Sequence, residues 1–190
     1  EWCVLVELGL SGGPDPAAVM EGLFAAALEA GLATDGVLAA SEGRRRRLWE
    51  LRERIPEANR RIGAVSSHDI ALPLSEIAAF LAEAEAAVLA LGPLRINAFG
   101  HLGDGNLHWN VFPRRGEDAH DAMRERVKET VHDLVHARGG SVAAEHGVGR
   151  VKVADLERYA DPVRLAMMRS VKAALDPGGI LNPGAVLAAQ

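Results

Sequence analysis

The chain has one cysteine in 190 residues, Cys3, so no internal disulfide can form. It has no uninterrupted apolar run long enough to cross a bilayer. The longest apolar stretch, Ala78 to Leu91, is broken by Glu83 and Glu85. It lacks an excess of positive charge: with 21 Lys and Arg against 26 Asp and Glu, the net charge of -5 argues against nucleic acid as a main partner. It also lacks a dinucleotide-binding fingerprint, because Gly147-Val148-Gly149 has neither the third glycine nor the strand-to-helix setting. No signal-peptide pattern is visible at its start, and a cytoplasmic location is the expectation. The chain opens without methionine in a strand-like Trp2–Leu8 stretch, which suggests a fragment of a longer protein.

A composition of 48% hydrophobic and 25% charged residues is that of an ordinary globular domain. The pattern is β-α repeated, with one hairpin. Strands are expected at Trp2–Leu8, Gly36–Ala39, Ser66–Leu72, Leu94–Gly100, Leu107–Phe112 and Ser141–Ala144. Helices are expected at Asp15–Ala30, Glu42–Arg61, Ser75–Leu91, Glu117–Arg138 and Pro162–Leu175. A tight hairpin in mid-sheet favours an α+β fold, an antiparallel sheet of the split β-α-β kind covered by helices, over a doubly wound one. A single domain over 1–190 is the expectation.

The segment from Phe99 to Asn110 carries the most chemistry. Its histidines His101 and His108 flank Gly103-Asp104-Gly105-Asn106, which is turn chemistry. A reversal at Asp104-Gly105 sets His101 opposite His108 and Leu102 opposite Leu107, with opposed Cβ atoms roughly 4.5–5.5 Å apart. One face then gathers Leu94, Ile96, Ala98, Leu102, Leu107, Trp109 and Val111; the other gathers Arg95, Asn97, Phe99, His101, His108, Asn110 and Phe112. Two imidazoles so placed can close on a metal ion, or can be a hydrogen-bonded pair without one. A third candidate ligand, Glu145, sits in Ala144-Glu145-His146-Gly147-Val148-Gly149. Neighbours on extended chain point apart, so Glu145 and His146 serve one site only if the chain bends, which Gly147 and Gly149 permit. Two histidines and a carboxylate suit zinc, manganese or iron with open positions. The alternative is a polar loop after a strand.

Helix Glu42–Arg61 carries Arg44-Arg45-Arg46-Arg47, read as a solvated face paired with Glu42, Glu50, Glu53 and Glu57 at helical spacing. Arg52 borders the Leu48, Leu51, Ile55 stripe and needs an anionic partner, either a structural carboxylate or a substrate carboxylate.

Five segments, in order, resemble those of FAD-linked oxidases. They are Leu48-Trp49-Glu50-Leu51-Arg52-Glu53-Arg54-Ile55, Ser67-His68-Asp69-Ile70-Ala71-Leu72-Pro73, the His101 to Asn110 hairpin, Ala144 to Gly149, and Leu175-Asp176-Pro177 to Asn182-Pro183-Gly184. The chain is similar to the C-terminal domain of the D-2-hydroxyacid dehydrogenase group, which includes D-2-hydroxyglutarate and D-lactate dehydrogenases and the glycolate oxidase D subunit. The resemblance implies a ferredoxin-like cap domain, with FAD held mainly by an N-terminal domain of the same polypeptide that is absent here. It implies His101, His108 and Glu145 as ligands of a divalent metal, zinc or manganese. Asn110 and His146 would contact the 2-hydroxy acid, Arg52 would hold its carboxylate, and Asn182 would lie near the flavin. His146 would be the general base, and an electron-acceptor protein, quinone or dye would reoxidise the flavin. Homo-oligomer formation is compatible with it. The dicarboxylate enzymes of the group have a lysine where Ser67 stands and a threonine where Pro56 stands, two polar contacts fewer for a second carboxylate. From the residues alone, a metallohydrolase using the same trio, or a structural metal site, stays open.

Overall fold

A computed structural model describes residues 2–9, 12–117 and 121–189, which form two compact units, 1–58 and 59–190. The first unit holds α1 (Pro16–Glu29) and α2 (Glu42–Glu53). Asp15 caps α1 by accepting the Ala17 N–H at 3.2 Å, and Ser41 caps α2 by accepting the Arg44 N–H at 3.3 Å. The four arginines are exposed, and Arg45 bridges Glu42 at 2.9 Å and Glu7 at 2.7 Å. The expected single helix over Glu42–Arg61 is interrupted at Arg54. It resumes as α3 (Ile55–Ile62), with Pro56 in its first turn, where a missing N–H costs nothing. The stripe read from Leu48, Leu51 and Ile55 is not a buried one: Leu51 is 67% exposed. Trp2–Leu8 and Gly36–Ala39 are not paired into strands.

The second unit is built on three antiparallel strands: β1 (Ser66–Ala71), β2 (Leu94–His101) and β3 (Asn106–Pro113), in the order β1-β3-β2. Since β1 and β2 both run against β3, they are parallel to each other, joined by α4 (Ile77–Leu89) with β3 inserted between them. That is a split β-α-β unit, and the α+β expectation holds. After β3 come α5 (Asp121–Ala137), α6 (Val153–Tyr159), which the periodicity did not reveal, and α7 (Pro162–Leu175). The expected helix start near Glu117 runs through 118–120, outside the described residues. The strand expected at Ser141–Ala144 shrinks to one antiparallel bridge, Ser141 to Ala71, with both N–H···O bonds at 2.8 and 2.9 Å.

Alternation along the strands separates a core face from a polar one. Ile70, Trp109 and Val111 lie buried against Phe80, Ala84 and Val88 of α4 and Val127, Val131 and Val135 of α5. These recur every four residues along each helix, the pattern of a face turned to a sheet. The Phe80 and Trp109 rings meet edge to face, 5.4 Å between centroids. The other face carries Ser67 and Asp69 of β1, Asn97 and Phe99 of β2, and Asn106, His108 and Asn110 of β3.

Candidate functional site

The hairpin closes differently from the expected two-residue turn. His101 pairs with Asn106 and Phe99 with His108, so the register is shifted by two residues. The cause is a 3-10 turn over Leu102–Asp104 that ends on Gly105 at φ 74°. Four residues are spent in the reversal rather than two. Leu102 is thereby lifted out of the apolar face and is 64% exposed, not opposite Leu107. A shift of two keeps every side chain on its face. His101, at the end of β2, and His108, inside β3, still share the polar face.

The Glu145 side chain reaches that end of the sheet. Its Oε2 lies 3.5 Å from His108 Nε2 and its Oε1 lies 3.9 Å from His101 Nε2. The bend that brings it there uses the left-handed conformation at Gly147 (φ 66°) and Gly149 (φ 52°). His146 follows on the same side, its ring 6.1 Å from that of His108. Metal–ligand bonds of roughly 2.0–2.2 Å put neighbouring ligand atoms roughly 3–3.5 Å apart. Glu145 and His108 are near that spacing and His101 lies a little beyond it, and imidazole nitrogens with a carboxylate are donors that fit a zinc- or manganese-type cation.

A fourth group was not singled out from the sequence. The tightest group of ligand atoms is not the expected trio: one atom from each of Asp69, His108, Glu145 and His146 lies within 4.8 Å of the others, with Asp69 of β1 added and His101 outside it. Asp69 accepts the His146 N–H at 2.8 Å and the Asn106 amide at 2.9 Å, and its Oδ1 is 3.7 Å from His108 Nδ1. Burial pushes the Asp69 carboxyl up, but those two donors, together with the nearby charges of Lys152 and His146, more than offset it and hold the group below the ordinary carboxylate value. The signal available was parity: Asp69 is two residues from Ser67 on a strand whose odd positions face the site. Lys152, beyond the glycine loop, donates to the carbonyls of Asp69 (3.2 Å) and Val142 (2.7 Å), tying β1 to the segment that delivers Glu145. Burial lowers its ammonium pKa against the pull of Asp69 and Asp155.

The remaining candidates sit on separate elements: β3, the C-terminal tail and α2. Asn110 is buried two residues along β3 from His108, its amide donating to the carbonyls of His108 (3.2 Å) and Asn97 (3.4 Å). Asn182, at φ 46°, lines an apolar groove of about 890 Å³ between α7 and the C-terminal tail, with Met167, Val171 and Leu187. That tail is fastened to the glycine loop by the Val186 N–H on the Gly149 carbonyl (2.7 Å) and by Arg150 on the Pro183 carbonyl. Arg52 is half-buried on α2, in the first unit. Among the described residues, no helix is long and apolar enough to cross a membrane.

A sequence model of FAD linked oxidases, C-terminal domain, matches residues 1–186. A mitochondrial D-2-hydroxyglutarate dehydrogenase of Bos taurus is 40% identical over 182 residues, 95% of this chain and 32% of that protein. One from Arabidopsis thaliana is 35% identical over 97% of this chain and 32% of its own length. A bacterial D-2-hydroxyglutarate dehydrogenase, from Stutzerimonas stutzeri, is 38% identical over 87% of this chain and 36% of its own. The chain thus spans about a third of the length of these relatives.

Proposed function

Since this chain belongs to the FAD-linked oxidases as their C-terminal domain, we propose that it is the substrate- and metal-binding part of a flavin-dependent dehydrogenase oxidising a D-2-hydroxy acid to the 2-oxo acid. The observation that carries the proposal is the reach of one carboxylate, Glu145, to both hairpin histidines, with a further imidazole beside it.

His101, His108 and Glu145 would hold a divalent ion, which supplies Lewis acidity at the substrate's α-hydroxyl. FAD, held mainly by polypeptide outside this sequence, supplies the hydride acceptor that no side chain can provide. His146 takes the hydroxyl proton: its ring is exposed and its backbone is pinned by Asp69, so it can approach a substrate without leaving the cluster. Asn110 steadies the polar face beneath the substrate. Arg52 keeps its assignment to the substrate carboxylate on the resemblance alone. Ser67, exposed on the site-bearing face opposite Asn110, puts a neutral hydroxyl at the position where the family resemblance implies a lysine in the dicarboxylate enzymes. The relatives' names specify D-2-hydroxyglutarate, so the second carboxylate is the feature on which substrate choice turns.

The test uses the complete flavoprotein, anaerobically, with D-2-hydroxyglutarate, D-lactate, glycolate and the L-enantiomers. Bleaching of the flavin band by a D-2-hydroxy acid, lost on chelation and restored by Zn²⁺ or Mn²⁺, is the expected result. A metal-dependent hydrolytic activity with no flavin reduction by any of these acids would overturn the proposal.

A further inference from the structure

The imidazole of His108 stands between two carboxylates of different character. Nε2 faces Glu145, whose side chain is 45% exposed, at 3.5 Å; Nδ1 faces Asp69, which is 7% exposed, at 3.7 Å. A histidine that binds a cation through one nitrogen carries its proton on the other, and a carboxylate on that side fixes both tautomer and ring angle. Asp69 is engaged elsewhere as well. Its Oδ2 accepts the N–H of His146, and its Oδ1 accepts the Asn106 amide. Its main chain is held to that of Val142 by the Lys152 ammonium.

We infer that Asp69 is the positioning residue of the site: it fixes which nitrogen His108 offers and sets the bend at His146, without itself being a ligand. The inference rests on the metal-binding reading above. It assigns the ion to the Nε2 side of His108, with Glu145 and His101, and leaves the Nδ1–H to be taken up by Asp69. It also explains how two consecutive residues share one site. The His146 N–H is the donor at the Glu145–His146 peptide, and binding it to the carboxylate that orients His108 locks the loop and the hairpin into one arrangement.

The test is made on the complete protein, wild type and Asp69→Asn, stripped and titrated with Zn²⁺ against a chromophoric chelator. Asparagine is isosteric but cannot accept at both positions and offers an amide N–H toward His108. Zn²⁺ affinity should fall about 10–100-fold, with flavin content unchanged. In a His108→Ala background the same substitution should cost clearly less affinity, because only the share carried by the His146 loop remains. An equal loss in both backgrounds would show that Asp69 does not act through His108 and overturn the inference, as would unchanged affinity in folded Asp69→Asn. A second measurement needs no Asp69 variant. In zinc-loaded wild type, the histidine ¹⁵N spectrum, assigned with His108→Gln, should show His108 protonated at Nδ1 and metal-bound at Nε2. The opposite tautomer overturns the inference. Wild type that takes up no Zn²⁺ would instead overturn the metal reading on which it rests.

Discussion

Glu145 and His146 are neighbours in the chain with different surroundings, and their substitutions should separate binding from chemistry. Both carboxylate oxygens of Glu145 face imidazole nitrogens, so Glu145→Gln removes the anionic member of the trio. Metal content and turnover should then fall together, as read by elemental analysis beside steady-state kinetics. His146 is held through its backbone, and His146→Ala leaves that N–H on Asp69. Metal content should stay near that of wild type while kcat drops about 10²–10⁴-fold, the range for losing a general base. If kcat is retained, with the primary deuterium effect at C2 still present, His146 is not the base. Arg52→Ala should act on KM instead, since a carboxylate contact persists from ground state to transition state. A charge-assisted pair is worth about 1.5–3 kcal/mol, or roughly one to two decades in kcat/KM; an unchanged KM would remove Arg52 from the substrate site.

At the scale of elements, the turn between β2 and β3 controls the cluster. Gly105 sits at φ 74°, and a Cβ there would strike the Leu72 carbonyl oxygen, while Leu72 itself donates to the Gly105 carbonyl at 3.1 Å. Gly105→Val should therefore displace His101 relative to His108 and lower metal content, a result that the same metal analysis checks. The two faces of this hairpin were legible because period-two alternation survives a shift of two residues. Its register was not, because Gly103-Asp104-Gly105-Asn106 reads equally well as a two-residue turn or as a 3-10 turn with a left-handed glycine. Glu145 was legible from the glycines behind it. Asp69 was not, because nothing local shows that β1 lies next to β3 and brings Asp69 opposite His108. The same non-locality hid a buried chain joining β1, α5 and α6. His132 Nδ1–H donates to Asp155 at 3.3 Å and its Nε2 faces His68 Nδ1 at 3.1 Å, which makes His68 the donor there. Burial, with His132, Lys152 and Lys128 nearby, lowers the His68 pKa to about 3. Against an unfolded value near 6.5, the unfolded chain takes up this proton first. The stability associated with neutral His68 is thus complete above about pH 6.5 and is lost as pH falls toward 3, by up to roughly 1.4 kcal/mol per pH unit. Urea midpoints between pH 7 and 5, before most carboxylates titrate, should show that slope, and His68→Phe should reduce it, the rest coming from His132, whose pKa burial also lowers. An identical slope in the variant would assign the pH dependence to other groups.

For the whole molecule, the two units differ in what they bury. The second has a continuous core from Val65 to Val142, with Trp109, Phe80 and Ile70 at or near zero exposure. In the first, neither α1 nor α2 has a buried residue. Local opening free energy follows buried contacts, so amides of α1 and α2 should exchange with deuterium well before those of β3 and α5, and equal protection would contradict this. The expected behaviour of the 190 residues alone follows from the same division. The proposed metal trio lies wholly on the second unit, on β2, β3 and the glycine loop anchored by Lys152. The isolated chain should therefore fold there and take up Zn²⁺ or Mn²⁺. The flavin contact that the family resemblance assigns to it is Asn182, on a tail beside α7, and the relatives it matches are about three times as long. On the reading that FAD is held mainly outside these residues, a contact of that kind does not by itself offset the entropy of binding a dinucleotide. Purified alone, the chain should be colourless, should not retain added FAD on gel filtration, and should not reduce a dye with any D-2-hydroxy acid, while still binding metal. A yellow, dye-reducing preparation of these residues would show that the flavin site is contained within them, and the division of labour proposed here would have to be abandoned.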